Sequence, residues 1–264
     1  MKTQAKTTIR PRRIGLRHLV LAVAAFAMAA PVAMVSASPL DWIGGEKVRG
    51  SGAVKKQARA VAHFTGLSLS VPAQLELRIG NHEGITIETD DNLLPLIETV
   101  IDNGTLKIRP VKKNMHLQAT TMKIIVRARA VDRVALGGSG AIRSDALRGG
   151  RMQFDLGGSG SIDVKSIDGD AVSVTVGGSG NFKAGGGSAK TVSVSIGGSG
   201  DVDLGKMAAA EASVSVAGSG TAEVWARDTL SATIAGSGDV NYHGDPKVSR
   251  SVVGSGDVSR VAAR

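Results

Sequence analysis

Val174-Thr175-Val176-Gly177-Gly178-Ser179-Gly180-Asn181-Phe182-Lys183-Ala184 is one copy of a unit that this chain repeats throughout its second half. Its centre, Gly-Ser-Gly, also starts at Gly138, Gly158, Gly198, Gly218, Gly236 and Gly254. The steps are 20 residues four times and then 18 twice. A fixed period of that length marks one structural unit stacked on copies of itself.

Alignment on the tripeptide separates inward from outward columns. Two residues before its first glycine stand Leu136, Leu156, Val176, Ile196, Val216, Ile234 and Val252. Four before stand Val134, Phe154, Val174, Val194, Val214, Ala232 and Arg250, and the column between them is mostly Ser and Thr. After the tripeptide the alternation resumes, with Ile142, Ile162, Phe182, Val202, Ala222, Val240 and Val258 in its second position. The fourth position holds Ser144, Val164, Ala184, Leu204, Val224, Tyr242 and Arg260. Period two is the signature of a strand with one buried face. Each unit therefore reads as two short strands around a glycine corner. A polar return such as Asp168-Gly169-Asp170 or Gly185-Gly186-Gly187-Ser188 closes it.

Such a unit cannot bury its apolar face alone; stacking the units solves this. The predicted fold is all-β, a right-handed parallel β-helix (β-solenoid) of 18–20-residue coils with Gly-Ser-Gly corners. The outward column Arg143, Asp163, Lys183, Asp203 alternates in sign, which favours in-register stacking until Glu223 follows Asp203. Arg250 and Arg260 break apolar columns at the end, as a polar terminal cap would.

Upstream, residues 61–130 are rich in alternating apolar positions but lack the period, and read as less regular β coils continuing the same core. Asn103-Gly104 is a tight-turn signal within them. Residues 38–60, with an out-of-register Gly50-Ser51-Gly52, read as a partly ordered lead-in, and 131–264 as the repeat solenoid. Residues 1–37 read as a signal peptide. Lys2, Lys6, Arg10, Arg12, Arg13 and Arg17 precede an apolar run from Leu19 to Ala30, and Val35-Ser36-Ala37 places cleavage after Ala37.

That leader explains most of the charge. The chain carries +9, but the first 37 residues hold six basic groups and no acidic one, so the remainder carries +3. With aromatics at only 3%, no stacking platform for bases exists, and nucleic acid is not an expected partner. The absence of cysteine excludes disulfides, thiolate metal sites and a cysteine nucleophile. No later segment is long and apolar enough for a helical membrane span, so none is expected after signal removal.

One segment carries a family resemblance. Asp90-Asp91-Asn92-Leu93-Leu94-Pro95-Leu96-Ile97-Glu98-Thr99, followed by Asn103-Gly104-Thr105-Leu106-Lys107-Ile108, resembles the signature of the GIN domain, the head domain of "putative auto-transporter adhesins". The preceding Arg59-Ala60-Val61-Ala62-His63-Phe64 and the trailing Gly-Ser-Gly units are similar in order, so the resemblance spans roughly residues 42–260. It implies an exported bacterial β-solenoid and carries over no catalytic or binding residue.

Gly197 to Leu204 invites comparison with calcium-binding glycine-rich repeats, but an inward apolar residue stands where a ligand is needed, and a hard cation requires oxygen donors. Asp201, Asp239 and Asp257 share the column one after the corner, with Asp203 two residues on from Asp201; these four form the candidate outward binding column. Paired on adjacent rungs, such acids could serve glycosidic cleavage, but no His, Arg or Lys constellation accompanies them. The corner serines likewise have no nearby base. No catalytic residue, cofactor or metal site is predicted. The expected function is a non-enzymatic module of the bacterial cell envelope or surface, binding a cell-surface glycan or protein. The alternatives are a polysaccharide-active enzyme on the aspartates or a structural periplasmic spacer.

Overall fold

A computed structural model describes residues 45–261. The expected signal peptide over 1–37 and its cleavage at Ala37 lie outside the described residues. Nine strands precede the repeats: β1 (Lys47–Arg49), β2 (Val54–Arg59), β3 (Gly66–Leu69), β4 (Gln74–Ile79), β5 (Gly84–Asp90), β6 (Ile97–Asp102), β7 (Thr105–Pro110), β8 (His116–Gln118) and β9 (Met122–Ala128). Ten follow: β10 (Arg133–Gly138), β11 (Ala141–Gly158), β12 (Ser161–Gly178), β13 (Asn181–Ala184), β14 (Gly187–Gly198), β15 (Asp201–Gly218), β16 (Thr221–Gly236), β17 (Asp239–His243), β18 (Lys247–Gly254) and β19 (Val258–Arg260). A short 3₁₀ turn at Leu94–Leu96 is the one helical element among the described residues.

The repeats form a β-solenoid. β11 lies parallel on β12 with Ile142 beside Ile162, Leu156 beside Val176 and Gly158 beside Gly178. The same register continues from β12 onto β13 and β14, and from those onto β15. Through β15 each coil therefore repeats its predecessor 20 residues on, and each inward column becomes a row running along the rod. A single apolar cluster extends from Phe64 to Val258. Within it Phe154 and Phe182 meet across the interior, ring centroids 4.9 Å apart.

The corner needs glycine for two separate reasons, seen in one copy. Gly198 has φ +129°, a conformation that side chains avoid, and an added Cβ would sit 2.4 Å from the Gly178 carbonyl oxygen. Gly200 has no such φ, yet its Cβ would lie 2.4 Å from the Gly180 oxygen and 2.6 Å from Val176 Cγ1. The first glycine turns the chain; the second lets one coil settle on the next.

The return differs from expectation. β11 and β12 run unbroken through it, with Arg148 beside Asp168 and Gly149 beside Gly169. Leu147, Ile167 and Met207 point inward there and form a further buried row. One apolar residue between polar neighbours shows no alternation, so the pattern reads as a loop although it is a third side of the coil. The shortening from 20 to 18 residues is also absorbed there: the β15–β16 register slips between Leu204 and Ala208 and between Ala209 and Glu211, while Gly218 still meets Gly236.

At the front, β10 and β11 rest in parallel on β3 and β4, which rest in parallel on β7 and β9. The pairing then reverses, β6 being antiparallel to β7, and β5 to both β9 and β2. Asn103 and Gly104, both at positive φ, make the β6–β7 turn. The lead-in supplies β2 to this sheet and β1 to a two-stranded parallel ladder with β8. At the other end β18 pairs, among the described residues, with β16 alone, and Val252 and Val253 are left exposed.

Candidate functional site

Two outward surfaces flank the line of corners. Before the corner, one row comprises Ser173, Ser193, Ser213, Ser231 and Ser249, each beside the next. Two residues on, Thr175, Ser195, Ser215, Thr233 and Ser251 form a second row in the same register. All but the half-buried Ser173 are exposed. Rungs repeat about every 4.8 Å, so the ten hydroxyls make a regular two-row array on a parallel sheet. A groove of about 610 Å³ follows the first row, between it and a row that includes Thr191, Glu211 and Thr229. Sequence reasoning named the second row as a column and overlooked the first. Extending the alternation two residues upstream would have found it.

After the corner, the structure puts Asp239 and Asp257 at the same position of the last two coils, whereas Thr221 separates Asp239 from Asp201. Asp203 lies in the next outward row. Their partners reveal local work. The amides of Ser161, Asn181, Asp201 and Asp239 donate to the carbonyls of Gly140, Gly160, Gly180 and Gly220 one coil earlier. Where the earlier coil carries an aspartate, the carboxylate takes over that amide: Thr221 N–H donates to Asp201 Oδ1 at 3.2 Å, and Asp257 N–H to Asp239 Oδ1 at 3.0 Å. Asp203 is paired with Lys183 at 2.7 Å and accepts the Gly205 amide. The Ser259 hydroxyl, then the Val258 amide, hold the Asp257 carboxyl below its ordinary value. Among the described residues no three of His, Cys, Asp and Glu gather as a metal site would require.

The charged row is longer than the repeats implied. Glu76 of β4 stands beside Arg143, so signs alternate from Glu76 through Arg143, Asp163 and Lys183 to Asp203. The like-charged Asp203–Glu223 step is relieved by Lys183, which pairs with Asp203, while His243 Nε2 lies 2.7 Å from Glu223 Oε1.

The run that carries the family resemblance is a staple. Buried Asp90 accepts the amides of Gly52 at 2.7 Å and Thr120 at 2.8 Å. Desolvation pushes its carboxyl up, but these donors and the Thr120 hydroxyl outweigh it and hold the group below its usual range. Ser51 bonds Asp91 and Asn92 through its hydroxyl and amide, and Asn92 donates to the Arg49 carbonyl. Gly50 is required because a Cβ would fall 2.3 Å from the Asp90 carboxylate. The acids beside Leu93 thus anchor the lead-in.

The family described as "Putative auto-transporter adhesin, head GIN domain" matches residues 63–246. Among solved structures, a "Putative lipid binding protein" from Parabacteroides distasonis is 26% identical with TM-score 0.70, covering 82% of this chain and all of that one. A "putative adhesin" from Bacteroides fragilis is 21% identical with TM-score 0.76, over 81% of this chain and all of its own. A further "putative adhesin", from Parabacteroides merdae, is 21% identical with TM-score 0.65, over 83% and all of its own. No curated protein matches in sequence.

Proposed function

The chain belongs to the GIN-domain family, and from that premise we propose that it is an exported, non-enzymatic binding module of the bacterial cell envelope or surface. The basic, apolar and small-residue segments over 1–37 support export. The observation that carries binding is the ordered array of exposed hydroxyls before the corner, held on a stack whose rungs cannot shift independently. Rigid, repeated donors and acceptors suit a repetitive partner, a cell-surface glycan or protein, because little side-chain entropy is lost on contact. Asp201, Asp239 and Asp257 border this face across the corner, with Asp203 in the next outward row paired to Lys183. Their engagement with neighbouring amides and Lys183 favours binding over glycoside cleavage.

Binding of the purified chain to envelope glycans, matrix proteins and whole cells tests this reading. A Ser193→Arg/Ser231→Arg pair, which leaves the inward rows intact, should abolish the interaction that the native chain shows. Binding that survives the double substitution would place contact elsewhere. Turnover of any glycan by the native chain would overturn the non-enzymatic reading.

A further inference from the structure

A second surface lies at the front of the rod, its corner two coils before the one that begins the hydroxyl array. A groove of about 1170 Å³ is bounded by the β1–β8 ladder, the segments 70–72 and 109–115, and the first corner at Gly137–Ser139. Its volume is that of a site for a sizeable organic molecule. Pro72, Pro110 and Val111 contribute apolar surface, and Val111 is 45% exposed, with nothing among the described residues covering it. The charged side chains along it are, among the described residues, all basic: Lys47, Arg109, Lys112 and Lys113, joined by the His116 imidazole. Glu98 engages Arg109 and Glu46 engages Lys112 from outside the lining, while Lys47 and Lys113 make no ion pair among the described residues.

An apolar floor beside unneutralised cations selects one chemistry. A simple anion would leave the apolar surface wet, and a neutral hydrocarbon would leave the lysines unanswered. We propose that this groove binds a single anionic amphiphile, its phosphate or carboxylate head against Lys47 and Lys113 and its alkyl chain along Val111, Pro110 and Pro72. The proposal is independent of the adhesive face, which lies on other residues.

The test is titration of the full-length mature chain with octyl, decyl and dodecyl phosphate below their micelle concentrations. Dodecyl maltoside and inorganic phosphate serve as comparisons, and vesicles containing phosphatidylglycerol as a separate arm. Affinity should rise with chain length by up to roughly fourfold per methylene, the increment for burying one CH₂. Phosphate alone and the maltoside should bind at least tenfold more weakly. Lys47→Ala/Lys113→Ala should weaken dodecyl phosphate about tenfold or more with an unchanged melting temperature, and Val111→Asp should remove the chain-length dependence. Equal binding of phosphate with or without an alkyl chain would overturn the proposal. So would undiminished affinity in the double variant, or binding to vesicles without binding to any monomer.

Discussion

Single residues in this chain are judged by what the neighbouring coil does to them. Gly200→Ala and Gly177→Ala make the same chemical change, yet a Cβ at 200 meets the Gly180 carbonyl at 2.4 Å while one at 177 meets nothing within 4 Å. Denaturant unfolding should show Gly200→Ala destabilised by about 1–3 kcal/mol through overpacking. Gly177→Ala should be neutral, or stabilised by about 0.5 kcal/mol through a less flexible unfolded chain. Ser144 stands in an inward row among aliphatic residues, its buried hydroxyl without a hydrogen-bond partner. Ser144→Ala should therefore raise stability by about 1 kcal/mol, the lower end of the penalty for an unmade bond. Asp90 sets an acid limit. Its folded-state pKa lies below its unfolded value of about 3.9, so its stabilisation is complete above that value and lost as pH falls through the folded one. Melting temperature should drop below about pH 4 in the native chain. Asp90→Asn should lower the plateau above that point and flatten the acid slope.

At the scale of the element, the rows act as units. Lys183 separates Asp163 from Asp203, and Lys183→Glu would create four acids on successive rungs through Glu223. The expected loss is about 0.5–1 kcal/mol at low salt, shrinking above 0.5 M salt as the exposed charges are screened. A loss unaffected by salt would show that packing, rather than charge, orders this row. The elements also show what could be read in advance. Corners and flanking strands were legible because Val174 and Val176 alternate before the tripeptide, Phe182 and Ala184 alternate after it, and the tripeptide fixes their phase. The third side was not, since Leu147 comes three residues after Ser144 and breaks the phase that would announce it. Reversed pairing at β2, β5 and β6 was equally hidden, because alternation names a buried face without naming the neighbour. Asp201, Asp239 and Asp257 are exposed and Asp203 is half-buried. That Asp201 and Asp239 replace a glycine carbonyl as acceptor depends on backbone geometry between coils, which no single repeat contains.

For the whole molecule the decisive fact is that its two ends differ. The front is closed by antiparallel strands, and β2 there carries Lys55, Lys56 and Arg59. The rear presents β18 with one side unpaired, defended by Arg250 in an inward row and by Arg260, which pairs with Asp245. Charges aimed inward on an edge strand discourage another strand from adding to it. Arg250→Val should extend the apolar row to the edge, and sedimentation should then reveal more concentration-dependent association than the native chain shows. The same open coil has a mechanical consequence. Each turn is held by the ladder to its neighbours, and the last described turn has only one. Tension applied at the carboxyl end should therefore unspool the rod from the rear, one loop per rupture. Each event would release 18–20 residues, roughly 60–70 Å of extended chain. A tether that lengthens in equal increments dissipates a sudden pull across many small failures instead of one.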